Sequence, residues 1–249
     1  MNGAVRGRVR INRLVVDASL LLRRGTTLGD TLDGLPGVSA TYFGPNANRP
    51  VVRGLDGDRI RILANGGATL DASGLSYDHA VPVDPIAVER VEVLRGPGAL
   101  LYGGSAVGGV VNVIDNRIPR EPLDGVTGRA DLGLSSGNRG RGAGFMVEGG
   151  TNRLGLHADV FDRSTADLRV PANLDCTQGG VTRTARRVCN SASDVRGGAV
   201  GASLFFDSGY LGASLSDYRS DYGSVAEDEV TIGMKSTRQA VEGEWRNPL

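Results

Sequence analysis

Few groups in this chain offer ligand or acid–base chemistry. His79 and His157 are its two histidines, and Cys176 and Cys189 its two cysteines, in 249 residues. Asp78 and His79 are adjacent in the run GLSYDHAVPVD, with Asp71 and Asp84 near in sequence. Carboxylate and imidazole are both zinc ligands, yet a metal centre needs three or four, so chemistry alone makes this pair an exposed polar loop. His157 alternates with Arg153 and Asp159 along a strand-like run, on its polar side. The cysteines sit in an Arg-rich segment without a nearby histidine, which offers too few ligands for zinc. A disulfide is the expectation in an oxidising compartment, and two free thiols are the alternative. Glu227-Asp228-Glu229 reads as a solvated charge run. Gly96-Pro97-Gly98 lacks the spacing of a dinucleotide loop, and GGSAV around Ser105 lacks the second glycine of a nucleophile elbow. No catalytic constellation emerges, and the expectation is a non-enzyme with no bound cofactor.

Two textures of sequence must position these groups. In the first, Thr27-Leu28-Gly29-Asp30 reads as a capping box opening a helix, with Leu28, Leu32 and Leu35 on one face and Pro36-Gly37 as the stop. Val51 to Arg53 reads as a short strand, and Arg59 to Leu63 as another ending in the tight turn Asn65-Gly66. Asp84-Pro85 can cap and open a short helix. Val88 to Ile114 is charge-free from Gly96 onward, but six glycines and Pro97 argue against a membrane helix. It reads as strand, helical turn, strand, with Val91, Val93, Val110, Val111 and Val113 in a small mixed α/β core.

After Asp124 the pattern alternates. Val126, Gly128, Ala130, Leu132 and Leu134 share one face, and comparable faces follow at Ala143–Val147, Leu154–Val160, Val200–Phe206, Leu211–Leu215 and Val241–Trp245. Short connections at 151–153, 207–209 and Asn247-Pro248 alternate with longer ones at 135–141, 164–194 and 219–236. Loops sorted by length favour an outer-membrane barrel over a soluble sandwich. Six strands are too few for a plugged barrel of about 22, so the barrel is expected to be incomplete.

The balance of 28 basic and 28 acidic residues gives no global field, and no nucleic-acid partner is suggested. The start, MNGAVRGRVRIN, has no apolar signal core and reads as an internal start or a fragment.

The block VERVEVLRGPGALLYGGSAVGGVVNVI, Glu89 through Ile114 above all, together with the upstream PVVRG at Pro50 to Gly54, resembles the plug domain of TonB-dependent outer-membrane receptors. The resemblance is close over about Thr26 to Pro119. It implies an α+β plug over residues 1–122, followed over 123–249 by the first antiparallel transmembrane strands of a β-barrel. It also implies location in the outer membrane of a Gram-negative cell, the plug lying in the lumen facing the periplasm. The implied partners are TonB, outer-membrane lipid and a transported metal or metal complex. No convincing copy of the short box that contacts TonB precedes Thr26. Leu70 to Pro119, with the Asp78-His79 loop and the VVNVIDNRIP ending, is similar to ZnuD-type zinc-uptake receptors, in which such an Asp-His pair belongs to a zinc site. That similarity makes zinc the expected ligand and Asp78 and His79 the expected metal residues. Haem or an iron-siderophore is the alternative cargo, and a non-transport surface binding protein the alternative function.

Overall fold

The computed structural model describes residues 12–17, 25–69 and 72–246. Asp71 and the Asn247-Pro248 turn lie outside the described residues. Two sheets face one another. The first has five strands in the order β1-β6-β7-β4-β5: β1 (Asn12–Asp17), β4 (Ile60–Ala64), β5 (Gly67–Ala68), β6 (Val88–Arg95) and β7 (Gly109–Asp115). β4 runs parallel to β7, and the remaining pairs are antiparallel. A small ribbon, β2 (Val38–Ala40) with β3 (Pro50–Val52), sits beside it.

Helix α1 (Leu28–Leu32) starts where Thr27 Oγ1 accepts the Asp30 amide at 3.3 Å. Leu28 and Leu32 enter the core, and Leu35 packs half-buried against it. The Asn65-Gly66 turn joins β4 to β5 with both residues at positive φ, as a tight hairpin turn requires. Between β6 and β7 the chain makes short 3-10 turns at Pro97–Tyr102 and Gly104–Ala106. Val91, Val93, Val110, Val111 and Val113 are all buried.

The second sheet holds six consecutive antiparallel neighbours: β8 (Gly125–Ser135), β9 (Gly140–Gly150), β10 (Leu154–Thr165), β13 (Ser193–Phe206), β14 (Gly209–Gly223) and β15 (Thr231–Trp245). β8 and β15 are its edges, so the sheet is an open wall rather than a closed barrel. Val126, Leu132, Leu134, Phe145, Val160, Val200, Leu211, Leu215 and Val241 point away from the first sheet and are exposed. In register, the upper limit of this apolar face descends from Leu134 on β8 through Phe145, Val160, Val200 and Leu215 to Val241 on β15. At about 3.3 Å per residue and about 4.8 Å between strands, the descent slants about 45° to the strands. A flat apolar layer crossed by tilted strands produces that slant, and a soluble sheet has no reason to. Phe206 and Trp245 meet at the opposite end with centroids 5.6 Å apart, as an aromatic girdle would.

Three connections differ from the sequence expectation, and in one the 219–236 link shortens to 224–230 because β14 and β15 pair as far as Gly223↔Thr231. The 135–141 link is a tight turn over residues 136–139, because β8 and β9 pair as far as Ser135↔Gly140. The 164–194 stretch is not a plain loop: β11 (Arg169–Gln178) and β12 (Val181–Arg187) fold back as a ribbon, and Cys176 and Cys189 are bonded. Asp228 accepts the Thr177 amide at 2.6 Å, and Glu229 accepts the Gly179 amide. Two carboxylates of the acidic run therefore bond the ribbon, Asp228 half-buried and Glu229 still exposed to solvent.

Candidate functional site

Two groups of side chains stand out, one on the outer loops of the first sheet and one between the sheets. In the outer loop, His79 Nδ1 lies 2.9 Å from Asp78 Oδ1. The Ser76 hydroxyl donates to the same carboxylate oxygen. That hydroxyl, and after it the His79 ring, holds the Asp78 carboxyl below the usual aspartate range against the opposing effect of desolvation. The loop is tied to the wall by Tyr222, whose hydroxyl accepts the Ala80 amide at 2.8 Å and donates to the Asp78 carbonyl at 3.0 Å. Tyr77, largely exposed, stacks on Phe43 with centroids 5.8 Å apart. The sequence pair is thus brought together and held. Among the described residues, no three His, Cys, Asp or Glu side chains gather into a metal-holding group.

Between the sheets, Arg117 binds Asp159 with both ends of its fork, Nε to Oδ2 at 3.0 Å and Nη2 to Oδ1 at 3.2 Å. Burial works against the Arg117 charge, and Asp159 and Asp115 outweigh it, so its pKa stands above the ordinary value. His157 has no exposed side-chain surface and bridges two carboxylates, Glu148 at 2.8 Å and Asp159 at 2.9 Å. Asn116 completes the group by donating to Glu148 at 3.1 Å. His157 is therefore in the contact between the sheets, as its place on the polar strand face implied.

A second ion pair joins Arg163 to Asp84, Nε to Oδ2 at 2.7 Å, while Nη1 reaches Asp131 at 3.1 Å. Asp84 also caps the 3-10 turn Pro85–Ala87 by accepting the Ile86 amide at 2.9 Å. Ile86 then packs with Phe161, Val195 and Tyr218 of the wall. The sequence reading found the cap and missed the ion pair. A signal was present: Asp159 and Arg163 alternate with His157, and charges on a covered face require partners.

Glycine is the other missed signal. A Cβ on Gly201 would lie 1.7 Å from the Arg117 carbonyl oxygen, and one on Gly212 would lie 2.4 Å from Ile118. The segment after β7 approaches the wall that closely only because both positions lack a side chain. A cavity of about 290 Å³ remains between the sheets, bounded by Val81, Asp84, Asp115, Arg117, Tyr218 and Arg238.

Fold and contacts together define a class: a small α+β plug packed on the inner face of a partial β-barrel wall. Residues 8–110 match the family described as TonB-dependent Receptor Plug Domain. The copper transporter OprC superimposes with a TM-score of 0.71 at 18% identity, over 92% of this chain and 34% of that one. The siderophore receptor PirA of Pseudomonas aeruginosa gives 0.64 at 22% identity, over 94% and 37%. The ferric enterobactin receptor PfeA of Pseudomonas aeruginosa, a mutant in complex with enterobactin, gives 0.62 at 20% identity, over 85% and 33%. At these identities the likeness is one of fold. The chain spans about a third of the length of these proteins. Its fold is that of a TonB-dependent receptor's plug with the first part of the barrel wall.

Proposed function

We propose that this chain is the N-terminal portion of a TonB-dependent outer-membrane receptor, plug up to about Pro122 and wall beyond, that imports a scarce metal or metal complex. The observation carrying this reading is the plug itself, seated on the covered face of a wall whose other face is apolar along a slanted band. A wall of that kind has no use in water, and a domain ion-paired into it closes the passage it would otherwise leave. Energy from TonB would act on the plug, and the contacts it must release include Arg117–Asp159, Arg163–Asp84 and the Tyr222 bonds to Asp78 and Ala80. The cavity beside them gives the plug room to rearrange.

Zinc is the cargo we favour, with Asp78 and His79 as two of its ligands and the others supplied by segments beyond these. The support is a carboxylate and an imidazole already in contact on a loop anchored to the wall by Tyr222. A second reading, an aromatic iron chelate, is favoured by the exposed Tyr42 and Tyr77 on neighbouring plug loops. The chain offers binding and passage rather than catalysis.

Growth of cells carrying the full-length receptor, under zinc limitation and under iron limitation, with and without TonB, separates the possibilities. The proposal expects rescue in zinc limitation that requires TonB. Zinc binding by the full-length receptor should weaken at least about tenfold in Asp78→Ala/His79→Ala, as loss of two ligands implies. Unchanged zinc affinity in that variant removes the site assignment, and rescue confined to iron limitation removes zinc.

A further inference from the structure

We infer that the arginines at the outer end of the wall form a binding site for the phosphate headgroup of an anionic lipid in the adjoining leaflet. The inference rests on the reading of the exposed apolar face as lipid-facing.

The site is assembled from three segments. The turn 136–139 between β8 and β9 accepts two amides from the chain entering the ribbon, Ala166 to the Asn138 carbonyl and Arg169 to the Gly137 carbonyl, each at 2.8 Å. These bonds set Arg139 of the turn beside Arg169 of β11. In the ribbon's register Arg169 stands directly opposite Arg187 of β12. A cavity of about 410 Å³ is bounded by Arg139, Arg169, Arg186, Arg187 and Asp167. Asp167 is the carboxylate of the group. It lies 3.5 Å from Arg187 and also accepts the Ser191 amide at 3.0 Å. Among the described residues, no ion pair engages Arg139, Arg169 or Arg186.

Like charges directly opposite on a ribbon are unfavourable, so this arrangement costs stability when empty. An anion with several oxygens removes that cost, and guanidinium forks match phosphate oxygens two at a time. Position selects a lipid as the source of the phosphate. The apolar face climbs furthest on β8, where Leu132 and Leu134 are 73% and 92% exposed. Leu134 is paired in register with the exposed Arg141, two residues from Arg139. The cationic group therefore begins where the acyl-chain surface ends, the depth at which headgroup phosphates lie. Nearby Asp162 stands opposite Arg196 in the register of β13, and among the described residues no ion pair joins it to these arginines.

The test reconstitutes the full-length receptor into phosphatidylcholine vesicles containing a trace of spin-labelled phosphatidic acid or spin-labelled phosphatidylcholine, and measures the immobilised fraction of each. The expected preference for phosphatidic acid is about fivefold or more, since each basic residue near a headgroup contributes on that order. Arg139→Gln/Arg169→Gln/Arg187→Gln should bring the preference near unity. The same three positions changed to Lys should keep part of it, and Arg183→Gln, on the same ribbon, should keep all of it. A triple Gln variant that retains the wild-type preference overturns the inference, as does full displacement by millimolar inorganic phosphate, which would mark a free-anion site. If both labels are immobilised equally, only this site is lost. If neither label is immobilised, the lipid-facing reading of the wall fails with it.

Discussion

Asp78 is a carboxylate whose neighbours decide its charge. Its pKa is lowered first by the Ser76 hydroxyl and, against desolvation, by His79. A lowered folded pKa means the ionised form favours the folded loop above the unfolded aspartate value, and that contribution is lost as pH falls through the lower folded value. Ser76→Ala should move the Asp78 midpoint upward in a carboxyl NMR titration, and an unmoved midpoint would show that the hydroxyl has no such role. Arg163 and Asp84 make the complementary case for a covered pair, with side chains 11% and 2% exposed. Arg163→Leu leaves a buried carboxylate facing an apolar group and should cost about 3–5 kcal/mol. Faster proteolysis of the plug in detergent, with the wall strands still paired, is the expected readout.

At the scale of elements, the β11–β12 ribbon depends on its cross-link and on the carboxylates that hold its tip. The disulfide closes a span of 13 residues. In the chain-entropy account, closing a loop of that size contributes about 3 kcal/mol. Cys176→Ser/Cys189→Ser should expose Arg183, Arg186 and Arg187 to trypsin while the six-stranded wall persists. Equal cleavage with and without the cross-link would mean that Asp228 and Glu229 suffice. The helix α1 rests on a single cap, and Thr27→Ala should cost about 1 kcal/mol in denaturant unfolding of the plug.

For the whole molecule, the relation of plug to wall is set by a covered core on one side and close backbone approach on the other. Val93 is fully buried in the plug. Val93→Asp places an unpaired charge there and should unfold the plug, read as lost protease resistance in detergent. Gly201→Val acts differently. Its side chain would displace the Arg117 carbonyl, so the plug should stay folded yet dock poorly, with Arg117–Asp159 broken. If a crystal structure or cross-linking across this contact found the docking unchanged, the close approach would not be what fixes the plug.

Local chemistry was enough to make several elements legible. The Thr27 cap, the Asn65-Gly66 turn, the Asp84-Pro85 start and the alternation of Val126 to Leu134 depend on residues within a few positions, and the structure keeps all four. The outward apolar faces followed from the same short-range patterns, whereas the plug was implied by the resemblance carried by Glu89 to Ile114 and Pro50 to Gly54. The connections were less legible, because strand ends are fixed by the partner's register rather than by their own residues. That is why β8 and β9 continue to Ser135 and Gly140, and why residues 169–187 pair with each other. Asp84 with Arg163 and Arg117 with Asp159 are separated by 79 and 42 residues, and no spacing rule connects them. Which charge finds which partner, and which glycine admits which backbone, was decided only when the plug and the wall came into contact.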